Sequence, residues 1–371
     1  MELSSVLKSS IRRIATLFLC LSGLAIAQNQ IAWTSNPVVL DDGPSSWPTL
    51  LQLADGSWLA AYAVFPNPTY IRVKRSFDSM RTWQQVSEIH EDGRDLDNPR
   101  LFMRADGVPL ITFRSVITGQ SYEIEVYQTA DNGSLFQFLS QVDWDEHLGG
   151  LYEPSLATLP DGSIAAFYTS EKHQHEHPSY SQIISERISA DGGLTWGPEI
   201  FAISQPGTAR PGEPNMITFQ DCPQLALFYE MCATENCLGH VSYSTDGRSW
   251  SPIGPPIPST FQDVQALQTT NGLIFATSNS YDVIVSPDDA TSWIDTNSHP
   301  FSHGEWPAIA QTGPTEIAVA LSGAGPQGQI GQYIQFGDIS NLGLDHVATS
   351  RACSQAGPDL QPCKPGRPCA Q

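Results

Sequence analysis

Residues 149–171 read GGLYEPSLATLPDGSIAAFYTSE, an apolar hairpin pattern with Glu153 near its start and Glu171 at its end. Apolar runs joined by a tight turn pair as antiparallel strands, so their outer ends lie together. The arrangement recurs along the chain. Glu213 opens a run that closes at Glu230, and Asp97 and Asn98 open one that closes at Arg114. Trp47, Tyr152, Glu305 and Trp306 stand at or beside equivalent starts, and Arg210 and His303 come just before two of them. Carboxylates in pairs with aromatic neighbours suit glycosidic bond cleavage. One acid protonates the leaving oxygen, the second serves as nucleophile or base, and the rings stack on sugar. Crowded acids also push their pKa values apart, so that one stays protonated. The alternative uses are a cation held at the rim or simple solvation.

Six related hairpins must position these groups. They read SWPTLLQLADGSWLAAYAV from Ser46, NPRLFMRADGVPLITFRSV from Asn98, YEPSLATLPDGSIAAFYTSE from Tyr152 and GEPNMITFQDCPQLALFYEM from Gly212. Looser copies are FQDVQALQTTNGLIFATSNS from Phe261 and EWPAIAQTGPTEIAVALSG from Glu305. Their spacing of about 40 to 60 residues is that of propeller blades. A second motif, S-x-D-x-G-x-T-W or Asp-box, follows most copies. SADGGLTW (189–196) fits it fully, SFDSMRTW (76–83) has Met80 at the glycine, and TADNGSLF, STDGRSW and SPDDATSW are looser. Its Asp bonds backbone N–H groups of its own turn, its Gly takes positive φ and its Trp packs between strands, so the box marks the fold and not the chemistry. Four strands per unit, six units and no long amphipathic helical period predict a six-bladed β-propeller. The strand near residues 31–33 is expected to close the ring against the last blade. In this topology the first strands begin, and the second strands end, at one rim of the channel.

The rest of the sequence bounds the setting. Lys8, Arg12 and Arg13 precede an apolar run over residues 14–25 and a small-residue AIA site, which predicts a signal peptide over 1–27, a propeller over 28–351 and a Cys/Pro-rich extension over 352–371. The run is short for a membrane anchor, so a secreted, extracellular chain is expected. The formal net charge of −21 disfavours nucleic acid and anionic membrane as partners and points to a neutral substrate. A monomer is expected. Beyond the leader, Cys222, Cys232, Cys237, Cys353, Cys363 and Cys369 make an even set that suggests three disulfides among fifteen possible pairings, since no CxxC pair argues for zinc. His173, His175 and His177 alternate and would share a face on a strand, as metal ligands do, but an exposed polar loop is the plainer reading. No metal and no cofactor are expected, because dinucleotide, P-loop and HExxH patterns are absent. Asn132-Gly133-Ser134 is an N-glycosylation sequon inside an Asp-box.

The segments DLDNPRLF…ITFR, YEPSLATLPDGSIAAFY, the RPG at 210–212 and LALFYE ending at Glu230 come in an order that resembles the secreted, sialidase-like propellers of glycoside hydrolase family 93, the exo-α-L-arabinanases. The resemblance covers the first four blades better than the last two. It implies release of arabinobiose from α-1,5-arabinan with retention. By that resemblance Glu153 is the nucleophile and Glu230 the general acid/base, though these two roles could be exchanged. Trp47, Asp97, Asn98, Arg114, Tyr152, Glu171, Arg210, Glu213 and Trp306 would line the substrate. Two positions depart: Tyr152 stands where the family usually has Trp, and Glu213 where it usually has Met. An exo-sialidase, which needs three arginines and a Tyr nucleophile, and a non-catalytic sugar-binding propeller are the competing readings.

Overall fold

The computed structural model describes residues 30–146, 150–220, 224–280, 282–324 and 330–346. The expected leader, the extension from 352, and Cys222, Cys353, Cys363 and Cys369 lie outside the described residues. Every regular element among the described residues is a strand. They form six antiparallel sheets around one channel, spanning 45–89, 95–145, 151–203, 210–244, 265–295 and 305–338. These are the six expected blades.

The second strand of each blade explains the apolar runs. In blade one Trp58–Val64 is buried at every position but the last, and in blade three Ile164–Ser170 is buried throughout. Both faces of such a strand meet a neighbouring blade, so polar alternation disappears. Six apolar clusters result, one at each interface between blades. Leu59 and Ala61 of blade one pack with Ile111 and Phe113 of blade two, and Ala60 and Tyr62 with Ala318 and Ala320 of blade six.

Closure follows the expectation and adds to it. Ala32–Trp33 pairs with Ile330–Asp338, the third strand of blade six, and Val38–Asp41 pairs with the same strand farther along. The two ends of the ring are thus joined in one sheet. Blade four has three strands, Arg210–Thr218, Leu225–Cys232 and Leu238–Ser244. The chain after it runs SPIGPPIPS, and its prolines cannot donate to a ladder. It is tied by Ser251 N–H to the Tyr243 carbonyl at 2.8 Å, by His240 Nδ1 to the Gly254 carbonyl at 2.9 Å and by Ile257 N–H to the Gly239 carbonyl at 2.7 Å.

The Asp-boxes act as local ties. Asp191 accepts the Leu194 and Thr195 N–H groups at 3.1 and 2.9 Å, and Asp78 accepts the Thr82 N–H at 2.8 Å. Gly193 has φ 95°, and Met80, at the glycine position of its own box, has φ 65°. Its fully buried side chain, packed with Trp58 and Tyr62, offsets that backbone cost.

Candidate active site

Every blade enters the channel through one irregularity. Trp47, Asn98, Glu153, Glu213, Asp263 and Trp306, one per blade, all have positive φ between 41° and 57°. In blade one Ser46 and Thr49 pair with Ala63 and Ala61, so the inner strand carries one extra residue there, and blades two, three, four and six slip at the same point. A bulge of this kind re-aims a side chain that an unbroken ladder would direct elsewhere. A left-handed residue with a Cβ costs roughly 1–2 kcal/mol, and strain of this kind concentrates at functional sites. Pro48, Pro99, Pro154, Pro214 and Pro307 follow five of the six. The broken ladder tolerates their missing N–H.

The bulge residues also tie neighbouring blades together. Glu213 N–H donates to Glu153 Oε2 at 2.8 Å, and Asp263 N–H donates to Glu230 Oε2 at 2.9 Å. Trp306 N–H donates to Asn279 Oδ1 and Trp47 N–H to Ser322 Oγ, at 2.7 and 3.2 Å. Glu153 and Glu230 are each fixed by the main chain of the next blade. Thr169 Oγ1 donates a second hydrogen bond to Glu153 Oε2 at 2.6 Å.

Gly212 lies between these two glutamates. A Cβ built on it would stand 3.1 Å from Glu153 Oε2 and 3.4 Å from Glu230 Oε1, so the two oxygens are no more than 3.1 plus 3.4 Å apart. Burial, reinforced by the charge of Glu153, pushes the Glu230 carboxyl up to about 8. The site therefore pairs an acid that keeps its proton at neutral pH with a carboxylate oxygen that accepts two hydrogen bonds.

Behind the pair lie two further acids, both buried: Glu213 and Asp263. Burial raises both, and in Glu213 the neighbouring charges of Asp263 and Glu153 add to it. Arg100 reaches across the channel from blade two and places Nη2 3.5 Å from Glu213 Oε2 and from Asp263 Oδ1. Gln265 Nε2 donates to Asp263 Oδ1 at 2.6 Å, and Asp263 Oδ2 is buried with no hydrogen-bond partner.

The opposite wall is a chain of positioned groups. Arg114 grips Asp97 with two parallel bonds, Nε to Oδ1 at 2.7 Å and Nη2 to Oδ2 at 2.5 Å. Asn98, with its amide oriented to satisfy both neighbours, donates to Asp97 Oδ1 at 3.0 Å and accepts Trp47 Nε1–H at 2.9 Å. Trp47 and Trp306 pack with ring centroids 5.0 Å apart. The Arg114 guanidinium lies 4.7 Å over the Tyr152 ring. Arg210 pairs with Glu171, whose other oxygen accepts Gly150 N–H at 3.3 Å.

The residues named from the sequence thus gather in interlocked sets at one rim. Glu305 and His303 remain exposed, and His303 Nδ1 bonds its neighbour Ser302. Sequence reading passed over Asp263 and Arg100. Asp263 occupies the bulge position of blade five, where Val264 replaces the usual proline, so superposing the six copies on the residue before Pro would have found it. Arg100 sits two residues past Asn98, where pairing with the second strand resumes after the bulge.

The alternating histidines do not converge. His173 is buried, with Glu176 Oε1 and Glu199 Oε2 at 2.7 and 3.2 Å, while His175 and His177 are exposed. Among the described residues, Glu230, Cys232 and Cys237 have ligand atoms at metal-binding spacing. The two cysteines are bonded to each other as a disulfide, so no thiolate is present to ligate.

Six blades, Asp-box turns and closure by the N-terminal strands give the chain the architecture of the sialidase-like propellers. It is similar in fold to the Penicillium chrysogenum α-L-arabinanase complexed with arabinobiose, with a TM-score of 0.72 and 20% identity over 83% of this chain and 99% of that one. It is also similar to the GH93 α-L-arabinofuranosidase of Fusarium graminearum with arabinobiose, at a TM-score of 0.71 and 19% identity over 82% and 98%. The NanB sialidase from Streptococcus pneumoniae matches at 0.60 and 11% identity, over 84% of this chain and 70% of that one. No family model matches the chain, and no curated protein matches it.

Proposed function

We propose that this chain is a secreted retaining exo-glycosidase that acts on α-1,5-linked L-arabinan and releases arabinobiose. The observation that carries the reading is the pairing of Glu153 with Glu230 across Gly212. Retaining glycosidases hold their carboxyls about 5–5.5 Å apart, and inverting ones about 6.5–9.5 Å apart to admit a water. The nearness of Glu153 Oε2 and Glu230 Oε1 to one Cβ position, 3.1 and 3.4 Å, is compatible with the first.

In this reading Glu153 attacks the anomeric carbon. Its bonds from Thr169 and the Glu213 N–H hold it in place. Glu230, kept protonated by burial, gives its proton to the leaving oxygen and then takes one from the water that releases the sugar. Trp47 and Trp306 offer faces for a furanose ring. Arg100, Arg114 and Arg210 are all engaged with carboxylates of the protein. That favours a neutral sugar over the anionic substrate of a sialidase. The propeller neighbours complexed with arabinobiose point to the same sugar.

The test is incubation of the purified protein with linear α-1,5-arabinan, beside Glu153→Gln and Glu230→Gln. Early arabinobiose that both variants fail to release supports the reading. Binding of arabinan without release would make the chain a sugar-binding propeller instead.

A further inference from the structure

One edge of the catalytic rim carries a cysteine pair that the proposed chemistry does not use. Cys232 ends the second strand of blade four, and its Sγ lies 3.2 Å from Glu230 Oε1. That is the oxygen left over when Oε2 accepts the Asp263 N–H. Cys237, five residues on, is bonded to Cys232. All three residues are half-buried, so solvent reaches them. The two sulfurs and one oxygen of Glu230 lie within 4.8 Å of one another. As a disulfide the pair has no thiolate and ligates nothing.

We infer that reduction of this disulfide turns the corner into a site for a thiophilic divalent cation such as zinc, held by Cys232, Cys237 and Glu230, and that the bound cation silences the acid. The loss of activity rests on the proposed role of Glu230, whereas the cation site itself does not. The ligands suit the ion. Zinc takes thiolate sulfur at about 2.3 Å and carboxylate oxygen at about 2.0–2.2 Å in a tetrahedral set, often from cysteines with two to four residues between them. Two thiolates on one tetrahedral zinc stand about 3.8 Å apart, inside the 4.8 Å spread of the three ligand atoms. Three protein ligands leave the fourth position to water.

The backbone that presents the pair is held without the S–S bond. In the sheet Cys232 pairs with Arg210, and Met231 with Leu238. Thr234 N–H donates to the Cys232 carbonyl and Gln262 N–H to the Cys237 carbonyl, each at 2.9 Å. Glu235 Oε2 lies 2.9 Å from Nε2 of the buried His240. The loop between the cysteines is thus pinned at both ends and at its middle, and the sulfurs stay beside Glu230 once the bond between them is cut. The cut needs a dithiol reductant. Its two sulfurs join as a disulfide, and two electrons and two protons pass to Cys232 and Cys237. The cation then displaces the protons on its ligand atoms to solvent. With Oε1 on the cation, Glu230 has no proton to give to a leaving oxygen.

The test uses the full chain, oxidised or reduced with dithiothreitol that is then removed without oxygen. Near-ultraviolet circular dichroism follows the fold. Zinc is added from equimolar upward, alkylation by iodoacetamide is mapped peptide by peptide, and hydrolysis of linear α-1,5-arabinan is assayed beside it. In the reduced chain zinc should slow alkylation of Cys232 and Cys237 together by about tenfold or more, and a chelator should restore it. Activity should fall by roughly 100-fold, the share that general acid catalysis supplies. The oxidised chain should keep its activity in zinc, as should the reduced double variant Cys232→Ser with Cys237→Ser. Glu230→Gln should weaken the protection of both cysteines. Alkylation is read without substrate, so it judges the site even where arabinan is not cleaved. The inference is overturned if zinc leaves both cysteines as reactive as before, if Glu230→Gln is protected as well as the parent, or if the oxidised chain is inhibited equally. Loss of the near-ultraviolet signal on reduction would also overturn it, because the site must be preformed.

Discussion

Glu230→Gln should make the protein inactive and, at neutral pH, more stable. The carboxyl titrates near 4.5 in the unfolded chain and at about 8 in the fold, because burial and Glu153 oppose its ionisation. Between those two values the folded state retains a proton that the unfolded chain has released. Stability therefore falls as pH rises through that window, by about 1.4 kcal/mol per pH unit. Below pH 4.5 both states are protonated and the penalty is absent. At pH 7 the full window corresponds to about 3 kcal/mol. Partial exposure of the side chain reduces this to roughly 1–3 kcal/mol. Glutamine cannot ionise, and its oxygen can still accept the Asp263 N–H. Urea melts of wild type and variant at pH 4.5, 6 and 7 test the argument. The expected advantage of the variant is near zero at pH 4.5 and grows to 1–3 kcal/mol at pH 7. A variant that is less stable at pH 7, or a difference that does not move with pH, would refute the idea that this acid is forced to hold its proton.

Three further outcomes follow from the same geometry. Gly212→Ala puts a methyl between the two glutamates, and because Gly212 is not among the positive-φ residues the fold should survive. Activity should drop about 100-fold or more from displaced groups, with little change in the melting temperature; a fully active variant would remove the pair from the chemistry. Asp97→Ala leaves the Arg114 cation without its two bonds, which should cost about 3–5 kcal/mol in chemical denaturation, whereas a loss under 1 kcal/mol would mean that solvent screens the pair. Glu125, buried beside Glu91 and Glu123, is raised by burial first and by both neighbours. Its contribution is therefore unfavourable above its unfolded value, and Glu125→Gln should raise the melting temperature at pH 8 more than at pH 4.5.

Much of the fold is visible in the chain because propeller blades repeat. The apolar second strands, the DG turns and the Asp-boxes recur at fixed offsets, and topology then forces Glu153, Glu213 and Glu230 to one rim. The ring closure at residues 32–33 was legible for the same reason. Other features come from packing across the ring, which spacing does not encode. Nothing local in DNPRLF says that Arg100 crosses the channel to Glu213 and Asp263. Asp263 was hidden by a single change, Val264 for proline, in a blade whose other repeat signals are weak. The pairing of Arg210 with Glu171 and of Arg114 with Asp97 could be guessed as proximity, but not as the saturation of three cations by the protein's own acids. The absence of a fourth strand in blade four lay in plain view as SPIGPPIPS. Reading those prolines as the loss of a ladder strand would have anticipated the three-stranded sheet of blade four.

The most direct measurement of the central claim is the anomeric configuration of the first product, followed by proton NMR during hydrolysis of linear α-1,5-arabinan. Glu153 acting as nucleophile and Glu230 as acid/base predict arabinobiose that appears first as the α-anomer and mutarotates afterwards. Product that appears first as the β-anomer, or no release of arabinobiose at all, would contradict that assignment.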